Sequence, residues 1–243
     1  MQRLNKTAIQ CAKILGAFTL DKEEWGITEL ATYLDLAKST VHGIVHSFIQ
    51  EGVLKKSNTD SRYKCGSLLT RLGLLALTEL EVKKISREAM FSLNEITGET
   101  IFLTMYMEGK IRVIGVRESN KPLRLSISVG SEMPVDRGAC GKIWFACLSE
   151  AEKNKFKRDG KIDTSIVEKS LEFVSENRYA TSVNEVYDDI TAVAAPIISR
   201  NNKLEGIIVI GGLSLHFTEE KLHEYGRILK SSCDNLSMQL GQV

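Results

Sequence analysis

Apolar positions recur at helical spacing in two short runs near the N-terminus. Ile27, Leu30, Ala31 and Leu34 make the first. Val41, Ile44, Val45, Phe48 and Ile49 make the second, an i, i+3, i+4, i+7, i+8 stripe. Only Asp35, Leu36, Ala37 and Lys38 stand between them, so the spacing predicts a helix-turn-helix. Ser39, His42, Gly43, His46 and Gln50 fall opposite the second stripe, and none is acidic. Upstream, Ala8, Cys11, Ala12, Leu15 and Phe18 share one face and predict a helix packed under the pair, with a polar loop over residues 21–25. Gly52 ends the second helix, because glycine takes the left-handed conformation cheaply.

Residues 53–56 then read as a strand. Asn58, Thr59, Asp60 and Ser61 supply turn chemistry, and residues 62–64 a return strand, giving a β-hairpin wing. Leu68, Leu69, Leu72, Leu75 and Ala76 predict a linker helix. Val82, Ile85, Ala89, Leu93 and Ile96 predict another helix over residues 82–97, stopped by Gly98. Beyond it the period shortens. Residues 99–107 and 110–117 are β-rich and flank a hairpin turn at Glu108 and Gly109. Residues 123–129 alternate Leu, Leu, Ile and Val with Arg and Ser, as a half-buried strand does. Helices follow over residues 138–148, 150–157 and 165–177. Residues 190–198 and 204–213 form a second hairpin at the sheet centre. Thr218 caps a last helix whose stripe is Leu222, Tyr225, Leu229, Leu236 and Leu240. The predicted class is α+β: a winged helix-turn-helix over residues 1–66, a linker helix over 67–80, and an antiparallel sheet with packed helices over 81–243. Such a sheet often encloses a small-molecule pocket.

Composition supports this outline. At 43% hydrophobic and 26% charged residues, the chain has the make-up of an ordinary globular protein. The N-terminus lacks the apolar core of a signal peptide, and no apolar run approaches a membrane span, so no membrane partner is expected. The five cysteines, Cys11, Cys65, Cys140, Cys147 and Cys233, form no CxxC pair. A disulfide framework, a metal site or a cofactor is therefore not expected, and the expected location is cytoplasmic, at the nucleoid. Net charge is +1, and residues 1–66 hold nine Lys/Arg against seven Asp/Glu. A DNA reader with so little bulk charge must concentrate it locally and gain affinity by dimerising.

The concentration falls on the wing, where Lys55, Lys56, Arg62 and Lys64 would meet phosphates. Lys38, Ser39 and Thr40 open the second helix, whose N–H groups and dipole favour anions. His42 and His46 follow on the face that would enter the major groove. The rival assignment is a small-molecule binding or hydrolytic protein with an incidental helix-turn-helix, and the basic wing argues against it.

Over nearly its full length the sequence resembles the IclR family of bacterial transcriptional regulators. The resemblance lies in ITELATYLDLAKSTVHGIVHSFIQEGVL, RYKCGSLLTRLG, ITGETIFL, LRLSISVGSEMPVDRGACGK, NRYATSVNEV, AVAAPI and the closing helix, in that order and spacing. It implies a winged helix-turn-helix, a linker helix and a GAF-like effector domain. It also implies a homodimer or tetramer on an inverted-repeat, double-stranded DNA operator, and a response to a small organic effector. The family's ligand-facing positions match Ala139, Cys140 and Gly141, Ser182 and Glu185, and Ala192, Val209 and Gly211. Two departures touch the DNA face: family members usually carry arginine at the positions of Gly43 and Gln10. Others touch the pocket. Positions often Arg and Cys match Thr191 and Ala192, and positions often Ser match Val209 and Gly211. A pocket with fewer donors binds a small carboxylate poorly, because its oxygens need partners. The expected effector is therefore aromatic or larger than a three-carbon acid.

Three enzyme readings are weaker. Residues 138–143 have the look of a phosphate loop, but Asp136 stands at the first glycine position and Ile143 replaces the Ser/Thr. Glu185, Asp188 and Asp189 suggest a metal or acid–base group, but read better as a solvated loop. Cys140 near a helix N-terminus would need His216 or His223 as a partner. The expected reading is a regulator without catalytic residues.

Overall fold

The computed structural model describes residues 5–19, 22–57, 61–107, 109–159 and 163–241. The chain falls into two compact units, Met1–Glu79 and Leu80–Val243.

In the first unit, α1 (Lys6–Gly16) starts on Asn5, whose side-chain oxygen accepts the Thr7 and Ala8 N–H at 3.0 and 3.2 Å. These are donors that a helix start leaves without partners. β1 (Trp25–Gly26), α2 (Ile27–Leu34), α3 (Lys38–Gln50), β2 (Leu54–Lys56), β3 (Arg62–Cys65) and α4 (Ser67–Glu79) follow. The two apolar runs thus form α2 and α3, and their stripes meet Ile14, Trp25 and Leu54 in one core. Asp35 turns the chain between them in the left-handed region, at φ 52°. The segment expected to be a polar loop ends in β1 instead. Trp25 and Gly26 pair with Tyr63 and Arg62, making a three-stranded sheet in the order β1-β3-β2. Trp25 is buried there and donates its Nε1–H to the Ala17 carbonyl at 2.9 Å. A two-residue strand has no period to read, so the pattern missed it. The predicted turn residues Asn58, Thr59 and Asp60, like Asp21 and Glu108, lie outside the described residues.

The wing is closed at its root by two glycines. Gly52 leaves α3 at φ 70°, and Gly66 returns so close that its N–H bonds the Val53 carbonyl at 2.7 Å. A Cβ on Gly66 would stand 2.2 Å from the Gly52 carbonyl oxygen.

The second unit runs α5 (Glu81–Thr97), β4 (Thr100–Met107), β5 (Lys110–Arg117), β6 (Glu132–Met133), α6 (Gly138–Ala146), α7 (Glu150–Asp159), α8 (Ser165–Lys169), α9 (Leu171–Asn177), β7 (Ala180–Val183), β8 (Ile190–Ile198), β9 (Leu204–Leu213) and α10 (Glu219–Gln239). Its six strands are antiparallel in the order β6-β5-β4-β9-β8-β7. Alternate residues divide the sheet faces. Phe102, Ala194, Ile207 and Val209 pack with Ile143, Trp144 and Phe145 of α6. The other face takes α5 and α10. There Ser237 accepts the Ile198 N–H at 2.9 Å, and Thr218 caps α10 by accepting the Lys221 N–H at 3.3 Å.

Two expected elements differ. The helix over 165–177 breaks at Ser170 into α8 and α9. Residues 123–129 form no strand and join no ladder among the described residues. Their alternation holds only in the middle: Leu125 and Ile127 pack inward on the core, while Leu123 and Val129 are 73% and 46% exposed. The place beside β5 is filled by Glu132 and Met133, and this strap is held by Thr100 Oγ1, which donates to the Leu125 carbonyl at 2.7 Å.

Candidate functional site

The first unit presents one face of α3 to solvent. With Val41, Ile44 and Val45 buried, Lys38, Ser39, His42, Gly43, His46 and Gln50 are exposed, and Thr40 is half-buried. The His42 and His46 rings lie nearly parallel, 6.4 Å apart between centroids. α3 carries no acid in its first turn. Lys38, Lys55 and Lys56 are exposed and enter no ion pair among the described residues.

The other two wing cations are engaged. Arg62 donates to the Glu24 carbonyl at 3.0 Å and stands 3.3 Å from the Glu29 carboxylate. Lys64 lies 3.5 Å from Glu24. The Ser57 hydroxyl, donating at 2.7 Å, does most to hold the Glu24 carboxyl below its ordinary value, and the Lys22 ammonium does the same for Glu29. Arg62 and Lys64 therefore fasten the wing to the segment before α2, and Lys38, Lys55 and Lys56 carry the uncommitted charge. A shallow depression of about 450 Å³ lies between the starts of α2, α3 and β3, lined by Thr28, Lys38, His42, Ser61 and Arg62. The sequence missed Glu24 and Glu29, because nothing in local spacing pairs them with residues more than thirty positions on.

In the second unit, α6 is buried from Gly138 to Phe145. Gly138 begins it at φ 73°, and a Cβ there would stand 2.5 Å from Val186. Its N–H donates to Glu185 at 3.0 Å, and the other Glu185 oxygen meets Lys142 Nζ at 2.5 Å. Lys142 also donates to the Thr181 carbonyl at 2.7 Å. Beside this helix start is a cavity of about 50 Å³, walled chiefly by Phe102, Leu125, Ile127, Met133, Ala139, Cys140, Ser182, Val186, Ile190, Ala192 and Val209, with Arg137 and Tyr187 also lining it.

Of the positions matched to the family's ligand-facing ones, Ala139, Cys140, Ser182, Ala192 and Val209 line one cavity, while Gly141, Glu185 and Gly211 stand outside its lining. Gly141 faces the 134–135 backbone, where a Cβ would meet the Pro134 oxygen at 3.0 Å. Glu185 is engaged in capping α6 and pairing Lys142. Leu125 covers Gly211, within 2.8 Å of where its Cβ would be. Leu125 and Ile127 were not foreseen as lining, and the inward beat of their alternation was the available signal.

The cavity is not built as a nucleophilic centre. Burial pushes the Cys140 thiol up to about 12, the opposite of an activated thiolate. The expected partners sit elsewhere: His223 is 3.0 Å from the Tyr179 hydroxyl, and His216 is 3.1 Å from Glu99. Among the described residues no three metal-ligating side chains converge, and no helix is long and apolar enough to cross a membrane.

Comparison with known proteins agrees with both halves. A family model described as "Bacterial transcriptional regulator IclR C-terminal" matches residues 74–238, and one described as "IclR helix-turn-helix domain" matches residues 11–57. The chain is 24% identical over 250 residues to the HTH-type transcriptional regulator KipR of Bacillus subtilis, covering 99% of each. It is 27% identical over 257 residues to the regulator KdgR of Escherichia coli, covering 98% of this chain and 96% of that one. The fold matches the crystal structure of a transcriptional regulator from Alicyclobacillus acidocaldarius at a TM-score of 0.83 and 22% identity, over 98% of this chain and all (100%) of that one. It also matches an IclR homolog from Microbacterium hydrocarbonoxydans complexed with 4-hydroxybenzoate, at a TM-score of 0.77 and 15% identity, over 97% and 99% of the two chains.

Proposed function

The chain belongs to the IclR family of bacterial transcriptional regulators, and from that membership we propose how its two units divide the work. The first unit binds an inverted-repeat operator in double-stranded DNA, as a homodimer or tetramer. The second changes that affinity when a small organic effector enters the cavity beside α6. The observation that carries this reading is α3. Its apolar stripe is buried, and its outward face is small, polar and free of acid, with the exposed Lys38 at its positive end. Lys55 and Lys56 lie on the wing where phosphates would pass. Two-fold symmetry in the protein selects the inverted repeat, and the exposed Leu72 and Leu74 of α4 offer apolar surface for a second copy.

The cavity's make-up sets the effector class. Apolar side chains make up most of the wall; Arg137, the cation in the lining, is already paired with Asp136 at 3.2 Å, and the Ser182 hydroxyl and a neutral Cys140 thiol offer little to a compact carboxylate. An aromatic effector, or one larger than a three-carbon acid, suits it better, and a structural neighbour holds 4-hydroxybenzoate. Such a molecule exceeds about 50 Å³, so the strap bearing Leu125 and Ile127 must yield on entry. The protein acts in the cytoplasm at the nucleoid, without turnover, metal or cofactor.

The test is a mobility shift on the DNA just upstream of its own gene, with competitor DNA and a salt series. A specific shift that weakens steeply with salt is expected, since phosphate contacts release counterions. A folded, dimeric protein that selects no site from the whole genome would overturn the reading.

A further inference from the structure

At the other end of α6 lies a second, larger opening. A cleft of about 780 Å³, open to solvent, sits between the last turn of α6, α9 and the end of β8. Its floor is apolar: Ile143, Ala146, Val174, Pro196 and Ile198, with the Cys147 thiol among them. The two openings use the same helix and the same face of β8, yet no lining residue is common to both. Along β8, Ala192 lines one and Ile198 the other, roughly 20 Å apart on extended backbone.

Two cations stand at the rim of this cleft. The Lys153 side chain is only 13% exposed, and its ion partner, Glu150 at 2.9 Å, is 82% exposed. Surface pairs of this kind exchange readily and contribute little. Arg178 closes α9 in the left-handed region, at φ 58°. Its guanidinium is 3.6 Å from Asp234, outside hydrogen-bonding distance, and Asp234 is already paired with Lys230 at 2.7 Å. Among the described residues the Arg178 side chain makes no hydrogen bond, only this long ion pair with an acid that Lys230 shares, so its fork of donors can turn to a ligand. Burial pushes the Cys147 thiol up to about 11, and Arg178 and Lys153 both act against that rise. Both charges therefore bear on one point inside the cleft. Glu172 is the acid on the same rim, with Ser175 and Asn202 as neutral polar groups.

We propose that this cleft is a second small-molecule site, for an amphipathic organic anion whose apolar body lies on the Ile143–Val174–Ile198 floor and whose acid group sits between Lys153 and Arg178. Cations alone on a wet surface hold any anion weakly, and an apolar floor alone holds any hydrocarbon. The two together select a molecule with both parts, because charge-assisted bonds at a half-dry rim are stronger than those in open water. The assignment does not depend on the effector reading of the cavity beside the first turn of α6.

The test is calorimetry on the full chain with 2-naphthoate and, as a neutral comparator, 2-naphthamide. Saturable naphthoate binding is expected, with the amide weaker. Arg178→Asn keeps a residue that tolerates the left-handed region, and Lys153→Met keeps the stem. Each is expected to weaken naphthoate about tenfold while leaving the amide unchanged. Ser175→Glu, at an exposed rim position, adds a like charge and is expected to weaken naphthoate as well; it carries the test if either of the other variants melts early. Absence of saturable binding, equal affinity for acid and amide, or naphthoate affinity indifferent to the substitutions would each overturn the proposal, the last by placing the ligand elsewhere on the protein.

Discussion

Lys142 Nζ and Glu185 Oε1 lie 2.5 Å apart, joining α6 to a loop 43 residues further along the chain. Lys142 is 8% exposed, and its other partner is the neutral Thr181 carbonyl. With Glu185 also taking the Gly138 N–H, this one carboxylate fixes both the start of α6 and the loop that walls the cavity beside it.

Glu185→Gln leaves that ammonium buried without a counter-charge. The expected loss is about 1–3 kcal/mol, less than for a fully buried pair because Glu185 reaches solvent. Thermal melts of the second unit's transition measure it. Replacing both partners, Glu185→Gln with Lys142→Met, is expected to recover part of the loss, since no unpaired charge then remains inside.

The wing cations are expected to separate into two kinds. Lys55→Ala and Lys56→Ala each weaken all DNA sequences alike and lower the salt slope by about one, with no change in melting temperature. Arg62→Ala also releases Glu24 and Glu29, so it lowers the melting temperature of the first unit. Ser39→Ala and His46→Ala relax base preference instead. Parallel binding isotherms and melts on these variants decide the matter; an Arg62→Ala protein as stable as the parent would refute the fastening role.

Glycines in the first unit give opposite outcomes. Gly66→Ala drives a Cβ to 2.2 Å from the Gly52 oxygen, backbone against backbone, and is expected to cost about 3 kcal/mol or more. DNA binding goes with it. Gly43→Ala meets nothing within 4 Å and is expected to stabilise α3 by up to about 1 kcal/mol. Gly43→Arg, the residue usual in the family at this place, adds a cation to the exposed face and is expected to steepen the salt dependence of binding. Chemical denaturation and mobility shifts read both effects.

Acid should loosen the wing. Glu24 and Glu29 are held below their ordinary value of 4.5, Glu24 chiefly by the Ser57 hydroxyl and Glu29 by Lys22. A depressed carboxyl stabilises the fold above its unfolded value, and that contribution disappears as pH falls through the folded one. The melting temperature of the first unit is expected to fall as the pH is lowered below the ordinary carboxyl value of 4.5. Glu29→Gln should flatten that fall, and a melt as pH-dependent in the variant as in the parent would assign the effect to other groups.

Calorimetry with glyoxylate and pyruvate checks the effector class. Weak or absent heat is expected from both, and micromolar affinity for either would contradict the apolar reading of the cavity. Ala192→Phe, which fills that cavity, is expected to abolish any effector response.

How far the sequence was legible follows from the range of the forces involved. Helical spacing exposed α2 and α3, because a stripe such as Val41, Ile44 and Val45 is written within three turns. Gly52, Gly98 and Thr218 were readable as helix ends for the same local reason. The pairing of Arg62 with Glu29, or of Lys142 with Glu185, crosses tens of residues and leaves no local mark. Residues 123–129 show a subtler limit. Alternation reports which side chains face inward, and it did so for Leu125 and Ile127 but not for Leu123 and Val129 at the ends, where no ladder holds the backbone. Gly141 and Gly211 were placed in the cavity by the family resemblance, whereas Pro134 and Leu125, which lie against them here, come from other segments.

The strap has a consequence for how such a protein diversifies. Leu125 and Ile127 wall the cavity proposed for the effector, yet no strand register depends on them. Exchanging them leaves the pairing of β4, β9 and β8 intact. A lineage of such regulators can thus acquire a new inducer through a few changes in a segment outside the strand ladders, while the operator-reading surface stays as it was.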